Sequence, residues 1–404
     1  MEFDVFFSIS QTPDAAGTFP NETTMYSNYL EQLQVADELG YGVAWLAQAH
    51  LSTEVQKRNR KPVIPHWEGE VGLCTDFFQL ALLSMEKTKK IEIGSAVLSI
   101  LANGGPIAVA ERIGNFCALQ EVRGDSRKLN VGFSAGRFQF MASPYGIVPR
   151  NPVEEAAWSA LRGQIFWEAS EIMLRLIRGD TICSNDIRET MLTREHFRSD
   201  EDWKTVQTAN GNDDAEIHIA RRYEFEEIKS IPQEWDRSRV NLVLGSHVPA
   251  LQEHVNNFMP VQVFNLSITQ PDVIEATHER MKKAYKGEWQ RRMMPRTVMV
   301  FLNEEKGLNE EEKIAAAQIE SEGALSSYWS ALEGTLDPTK VAKAANNAVI
   351  GNAQQVAAQI RERFHPDDRL MLWFDFFRHD SERICRDMRA FMDMVVPLVN
   401  GSDA

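Results

Sequence analysis

Cysteine is scarce: four residues in 404 (Cys74, Cys117, Cys183 and Cys385), with no paired spacing among them. That excludes a disulfide-framed fold and fits reduced thiols. None of the nine histidines lies in an H-E-x-x-H pattern, and no Cys-x-x-Cys accompanies them, so no metal is expected. No apolar run approaches the ~20 residues that cross a bilayer. The chain begins Met1-Glu2-Phe3-Asp4, without a basic or long apolar leader, and a cytoplasmic location is expected. Positive charge is in deficit, 43 Lys and Arg against 58 Asp and Glu, for a formal charge of -15. So acidic a surface repels phosphate backbones and anionic lipid, which excludes nucleic acid and membrane as expected partners. Low-complexity segments and Pro- or Ser-rich linkers are also missing, and one domain over 1–404 is expected.

What is present is an alternation of short apolar runs with helical patterns. Phe3 to Phe7 reads as a strand, and Tyr26, Tyr29, Leu30, Leu33, Ala36 and Leu39 mark one helical face ended by Gly40. Gly42–Ala47, Ile91–Ile100 and Leu129–Phe133 follow as strands, separated by helices over Thr75–Lys87 and Pro106–Leu119. A long helix is predicted over Glu154–Arg178, then strands near Val240–Leu244, Val261–Leu266, Thr297–Leu302 and Leu370–Phe376, and a closing helix over Glu382–Val396. Strands alternating with helices predict parallel pairing, in a closed barrel or an open doubly wound sheet. Two polar stretches, 179–239 and 303–348, are too long for plain connections and are expected as excursions over one end of the fold.

The sharpest local motif is Gly132-Phe133-Ser134-Ala135-Gly136, a G-x-S-x-G after a strand. In a serine hydrolase that pattern feeds straight into a helix, whereas here Pro144 and Gly146 would interrupt any helix begun there. The other reading is a strand end in a barrel. The segments Ile91–Leu98, Pro106–Glu111 and Leu129–Gly136 resemble the third strand, third helix and fourth strand of the bacterial luciferase-like flavin-dependent monooxygenases. In the same order, Glu38–His50, Phe166–Met173 and Val349–Ile360 resemble other parts of that family. The resemblance implies an α/β fold, a single (β/α)8 TIM barrel with insertions over its C-terminal face, where barrel enzymes keep their chemistry.

It further implies a cofactor, reduced FMN, supplied by a separate flavin reductase, used with oxygen on a small organic substrate, and a homodimer. Residue by residue, Ala96-Val97 match a non-proline cis peptide under the flavin ring, with ordinary barrel core as the other reading. Ser134 falls where luciferase has a reactive cysteine, and Ala135 where it has a phosphate-binding arginine. Arg137 would replace that arginine, or lie on the surface. Gly245-Ser246-His247 would open a helix and hold phosphate at its start, with Ser246 as ligand or as cap. The family's catalytic histidine position holds Ala49, and the next residue, His50, is the candidate for proton transfer. Trp45, Trp373, Phe374, Phe376 and Phe377 supply core or an apolar substrate pocket, and Asp375 among them needs a hydrogen-bond partner. Two rival functions share the barrel, a deazaflavin-dependent oxidoreductase and a flavin-binding protein without catalysis. The serine hydrolase, acting through Ser134, is the third.

Overall fold

The computed structural model describes every residue except 15–16, 60–61, 63, 335–336 and 402–404. Eight parallel strands form its frame: β1 (Glu2–Phe7), β2 (Val43–Leu46), β3 (Glu92–Ser99), β4 (Leu129–Ser134), β5 (Val240–Leu244), β6 (Val261–Val263), β7 (Arg296–Leu302) and β8 (Arg369–Trp373). Each pairs with its sequence neighbour from β1 to β6, β7 pairs with β8, and β8 returns to β1. The ring joins between β6 and β7, where the Asn265 amide donates to the Pro295 carbonyl (2.9 Å) and the Thr297 amide to the Asn265 carbonyl (3.1 Å). Further up that same edge of β7, a short strand, Ala348–Gly351, pairs with Met299–Leu302.

Helices α1 (Glu22–Leu39), α2 (Phe77–Lys87), α3 (Gly105–Val122) and α4 (Trp158–Arg178) follow the first four strands, and α5 (Pro249–Asn256) and α6 (Pro271–Ala284) follow β5 and β6. The caps are those the sequence chemistry offers. Asp76 accepts from the Gln79 amide to start α2, and Asn21 from the Thr24 amide to start α1. Alternate strand residues such as Val5, Leu46, Ile93, Val131, Leu242 and Leu372 are buried in the main core shared with these helices.

The opposite faces fill the barrel in layers. At the N-terminal end the buried Asp4 carboxylate accepts from Arg369 Nε (2.7 Å) and Nη2 (3.0 Å), from the Trp45 indole (2.7 Å) and from the Val43 amide (2.9 Å). Above it Phe6, Val43, Trp45, Val243, Phe264 and Met371 form a closed apolar layer. A Cβ at Gly132 would collide with the Phe264 ring, so the first glycine of the G-x-S-x-G motif is there to admit that ring.

Several expected elements are altered. The helix expected over 154–178 is two pieces, a short turn Pro152–Ala156 and α4, and Glu154 is tied to Arg150 and Arg222 at the break. The strands expected to reach Leu266 and Phe376 stop at Val263 and Trp373. The closing helix is Ser381–Ala390, then a π-helical turn Phe391–Val395, then Val396–Asn400. The excursion 303–348 is mainly α7 (Glu310–Glu333) and α8 (Pro338–Ala345), and it lies over the C-terminal face. The excursion 179–239 packs against α3 and α4, and at Arg222 it meets the loop that follows β4, where that guanidinium donates to the Gly146 and Val148 carbonyls. There Glu168 accepts from the Arg222 and Tyr223 amides, while further along Trp235 packs on Gly114 of α3. Among the described residues no helix is long and apolar enough to cross a membrane.

Candidate functional site

The C-terminal mouth is built from the residues just past the closed aromatic layer. Ala47 after β2, Ala96 and Val97 in β3, and Trp373 at the end of β8 are half-buried and pack on that layer from above. Between Ser95 and Leu98 the pairing of β3 with β4 shifts register, and the peptide joining Ala96 to Val97 is cis. Ser134 ends β4, and Gly245 directly follows the adjacent β5. A Cβ placed on Gly245 would lie 3.2 Å from Ser134 Cβ and 3.4 Å from Val97 Cγ1, so three of the expected residues converge on one edge of the mouth. Ala47, Ala96, Val97 and Trp373 give the mouth an apolar floor, with Ser134 at its edge.

Other expected residues fall elsewhere. Ala135 turns its methyl toward the helix-side core, as strand alternation from Ser134 requires. Arg137 is exposed, with its guanidinium 5.3 Å from the centre of the Phe138 ring. Ser246 is no helix cap: α5 starts at Pro249, and Ser246 Oγ accepts from the Val248 amide at 3.3 Å within a loop. His247, half-buried, faces Thr269 at 3.5 Å and leaves Nδ1 without a partner; burial, aided by Arg280, lowers its pKa. Of the aromatic group, Trp45 is in the closed layer and Phe374 faces outward onto Tyr41 and Phe391, which leaves Trp373, Phe376 and Phe377 at the mouth. Asp375 has the partner it needs, accepting from Ser8 Oγ (2.9 Å) and the Ser8 amide (3.1 Å).

His50 is set apart from the mouth. Its neighbours are Asn103, Arg112 of α3 and Asp76 at the start of α2, and burial followed by Arg112 lowers its pKa. Its Nε2 is buried without a partner. The residue facing the mouth is Ala49, buried in an apolar cluster with Ile64, Trp67, Phe138, Met141, Phe301 and Phe376. Ser134 has no histidine bonded to it; its Oγ accepts from the Gly136 amide at 3.0 Å. The chain past Gly136 enters two 3-10 turns and reaches its first α-helix only at Pro152, so the context a nucleophilic serine needs is absent here.

Sequence reasoning missed Arg162. From the first turns of α4 its Nη2 donates to the Gly136 carbonyl at 3.2 Å, directly behind Ser134 and Ala135. It is half-buried, and burial alone lowers its pKa, with no acidic group offsetting the effect. Its Nε is buried and unpaired, as is the indole N–H of Trp158 one turn earlier. A desolvated guanidinium with only a carbonyl to bind is costly unless an anion joins it. Its position, 27 residues beyond the arginine-free Ala135, gave no local signal.

No protein-family model matches the chain, and no curated protein matches it in sequence. Solved structures do match. The monooxygenase RslO1 of Streptomyces bottropensis is 16% identical, with a TM-score of 0.65 over 98% of this chain and 99% of that one. The oxygenating constituent of 3,6-diketocamphane monooxygenase from Pseudomonas putida, in complex with FMN, is 11% identical, with a TM-score of 0.58 and 98% of both chains covered. An F420-dependent secondary alcohol dehydrogenase is 14% identical, with a TM-score of 0.55 and 99% of both covered. The chain shares its barrel fold with these proteins.

Proposed function

We propose that this luciferase-like barrel is a flavin-dependent monooxygenase that binds reduced FMN at its C-terminal mouth. The observation that carries the reading is the convergence of Val97, Ser134 and Gly245 beside an apolar floor, with the unpaired Arg162 guanidinium behind the same strand end. A flat, largely apolar ring matches the floor of Ala47, Ala96, Val97 and Trp373, and a phosphate matches the guanidinium. Reduced flavin, when bound, supplies the electrons that activate oxygen. Ser134 and Gly136 hold the rim, Arg162 anchors the anionic end, and α7 covers the mouth and keeps water from it. His50 stays outside this arrangement, beside Asn103, where burial and then Arg112 hold its pKa below the ordinary value.

A separate flavin reductase would supply the reduced cofactor to such a site. The deazaflavin coenzyme is the alternative occupant, favoured by the shared fold of the F420-dependent dehydrogenase. Titration of the protein with FMN, oxidised and then reduced in the absence of oxygen, tests the reading. Tighter binding of the reduced form supports it, and substrate-dependent oxygen uptake then separates an enzyme from a flavin carrier. Binding of neither form, with binding of the deazaflavin coenzyme, would replace FMN in the account.

A further inference from the structure

Beneath α7 the indole N–H groups of Trp67, Trp329 and Trp373 are buried without an acceptor. All three belong to one apolar cluster, with Phe138, Phe140, Phe301, Tyr328, Phe376 and Phe377 as its other large rings. Elsewhere the buried Trp45 indole donates to Asp4 (2.7 Å) and that of Trp289 to His278 (3.0 Å), whereas that of Trp158 on α4 is also unpaired. A buried donor left unpaired costs about 1–3 kcal/mol, and three in one hydrocarbon cluster is the pattern of a site awaiting acceptors.

The rings that frame these donors meet edge-on or tilted. Trp67 and Phe377 centroids are 5.7 Å apart, Trp373 and Phe376 4.7 Å, and Tyr328 and Phe376 5.5 Å. Such walls favour a flat aromatic partner over a flexible aliphatic one. The cations that touch the cluster are otherwise engaged or outside it. Arg378, over the Phe301 ring, is paired with Glu320 and Asp387; Lys340, over Trp329, is paired with Glu333; Arg137 is exposed at the rim. Among the described residues, an anionic substrate therefore finds no free cation within the cluster.

We propose that this cluster is the substrate site, and that it takes a neutral, planar aromatic compound whose carbonyl or phenol oxygens accept from the three indoles. The assignment as substrate rests on the flavin reading above, whereas the binding preference stands by itself. A cleft of about 360 Å³ adjoins the cluster at Ala331. Its polar lining of His66, Glu68, Ser326, Ser327 and Ser330 comes from the two segments that carry Trp67 and Trp329. It gives the polar edge of such a compound an outlet to solvent.

Calorimetric titration of the flavin-free protein tests the preference with four probes: α-tetralone, tetralin, decanal and 1-naphthalenesulfonate. The ketone is expected to bind roughly tenfold tighter than each of the others, as gained indole hydrogen bonds to a neutral acceptor allow. Trp67→Phe and Trp373→Phe should each weaken α-tetralone about threefold to tenfold and leave tetralin unchanged, since the ring is kept and only the donor is lost. Equal affinity for the ketone and its hydrocarbon frame overturns the proposal, as does tightest binding by the aldehyde or the sulfonate, or a ketone preference unmoved in the variants. If Trp67→Phe does not fold, it loses tetralin as well, and Trp329→Phe, at the half-buried side of the cluster, carries the same comparison. FMN is titrated separately. A ketone preference without FMN binding removes the flavin reading alone, and FMN binding without the preference removes the substrate class alone.

Discussion

Replacing Arg162 by methionine separates two quantities that usually move together. In the free protein the guanidinium is half-buried, donates only to the Gly136 carbonyl at 3.2 Å, and leaves Nε unpaired. Methionine keeps an unbranched stem of similar length against α4 while removing a desolvated charge. Thermal unfolding of the free variant should therefore occur at the same temperature as the parent or slightly above it. Cofactor binding should move the other way. A hydrogen bond to a charged group contributes about 1.5–3 kcal/mol, which corresponds to a roughly tenfold to hundredfold loss of FMN affinity. Salt screening at a half-exposed site favours the lower end of that range.

The control is riboflavin, which has the same ring and no phosphate. Fluorescence quenching of each flavin on titration gives both affinities on one preparation. Arg162→Met should weaken FMN and leave riboflavin unchanged, so that the parent's preference for FMN largely disappears. Equal losses for both flavins would mean that Arg162 acts by shaping the Gly136 loop. An unchanged FMN affinity would place the phosphate elsewhere. Either result refutes the argument from the unpaired guanidinium.

Three further changes address other parts of the molecule. Gly245→Val should abolish binding of FMN and riboflavin alike, with circular dichroism unchanged, because its side chain would press on Ser134 and Val97 at the mouth; retention of either flavin would contradict the assigned floor. Glu320→Gln removes the carboxylate that ties α7 to Arg378 at 2.8 Å, and amide hydrogen exchange should quicken within Glu310–Glu333 while the barrel strands stay protected; unchanged exchange there would show that apolar contacts hold the helix. Asp37 accepts from the amides of Lys89, Lys90 and Ile91 at 2.9, 2.7 and 2.7 Å. Partial burial raises its pKa, but those three bonds outweigh the burial and leave it below its ordinary value. A depressed carboxylate pKa stabilises the fold above the unfolded-state value and loses that contribution as pH falls through the folded one. Asp37→Asn should then cost about 1 kcal/mol in urea unfolding at pH 7, and the gap from the parent should narrow by pH 3; a gap of constant size would exclude linkage to this group.

Order and spacing of motifs were enough to read the barrel, because each strand or helix buries one face and writes that face into its own residues. Phe3, Val5 and Phe7 lie toward the helices and Asp4 and Phe6 toward the axis, a division visible within a few neighbouring positions. The two excursions were legible only as interruptions. The path of 179–239 along α3 and α4 depends on pairs such as Glu168 with the Arg222 and Tyr223 amides, more than fifty residues apart, which no local pattern encodes. Element ends were misjudged where apolar residues continue past the last ladder bond, as at Phe376, which turns under α7 after β8 has stopped.

The candidate site was partly legible for the same reason. Ala96 and Val97 lie in the C-terminal half of β3, Ser134 ends β4 and Gly245 follows β5, and neighbouring parallel strands of a barrel bring such positions together whatever the intervening sequence. Direction around a loop is a different matter. Ala49 and His50 are adjacent, yet the first enters the aromatic cluster under α7 and the second points between α2 and α3. Past the end of β2 the alternation no longer says which of the two faces the mouth. A histidine in the sequence is therefore weaker evidence for proton transfer than an alanine in the right place is against it. Arg162 makes the converse point. Its chemistry becomes visible only once α4 is docked, when a cation is found with a carbonyl for a partner and no carboxylate to answer it. In this barrel the apolar floor of the mouth follows from strand order, while a candidate group for the end of a ligand, such as Arg162, sits on a helix and is found by asking which buried donors remain unpaired.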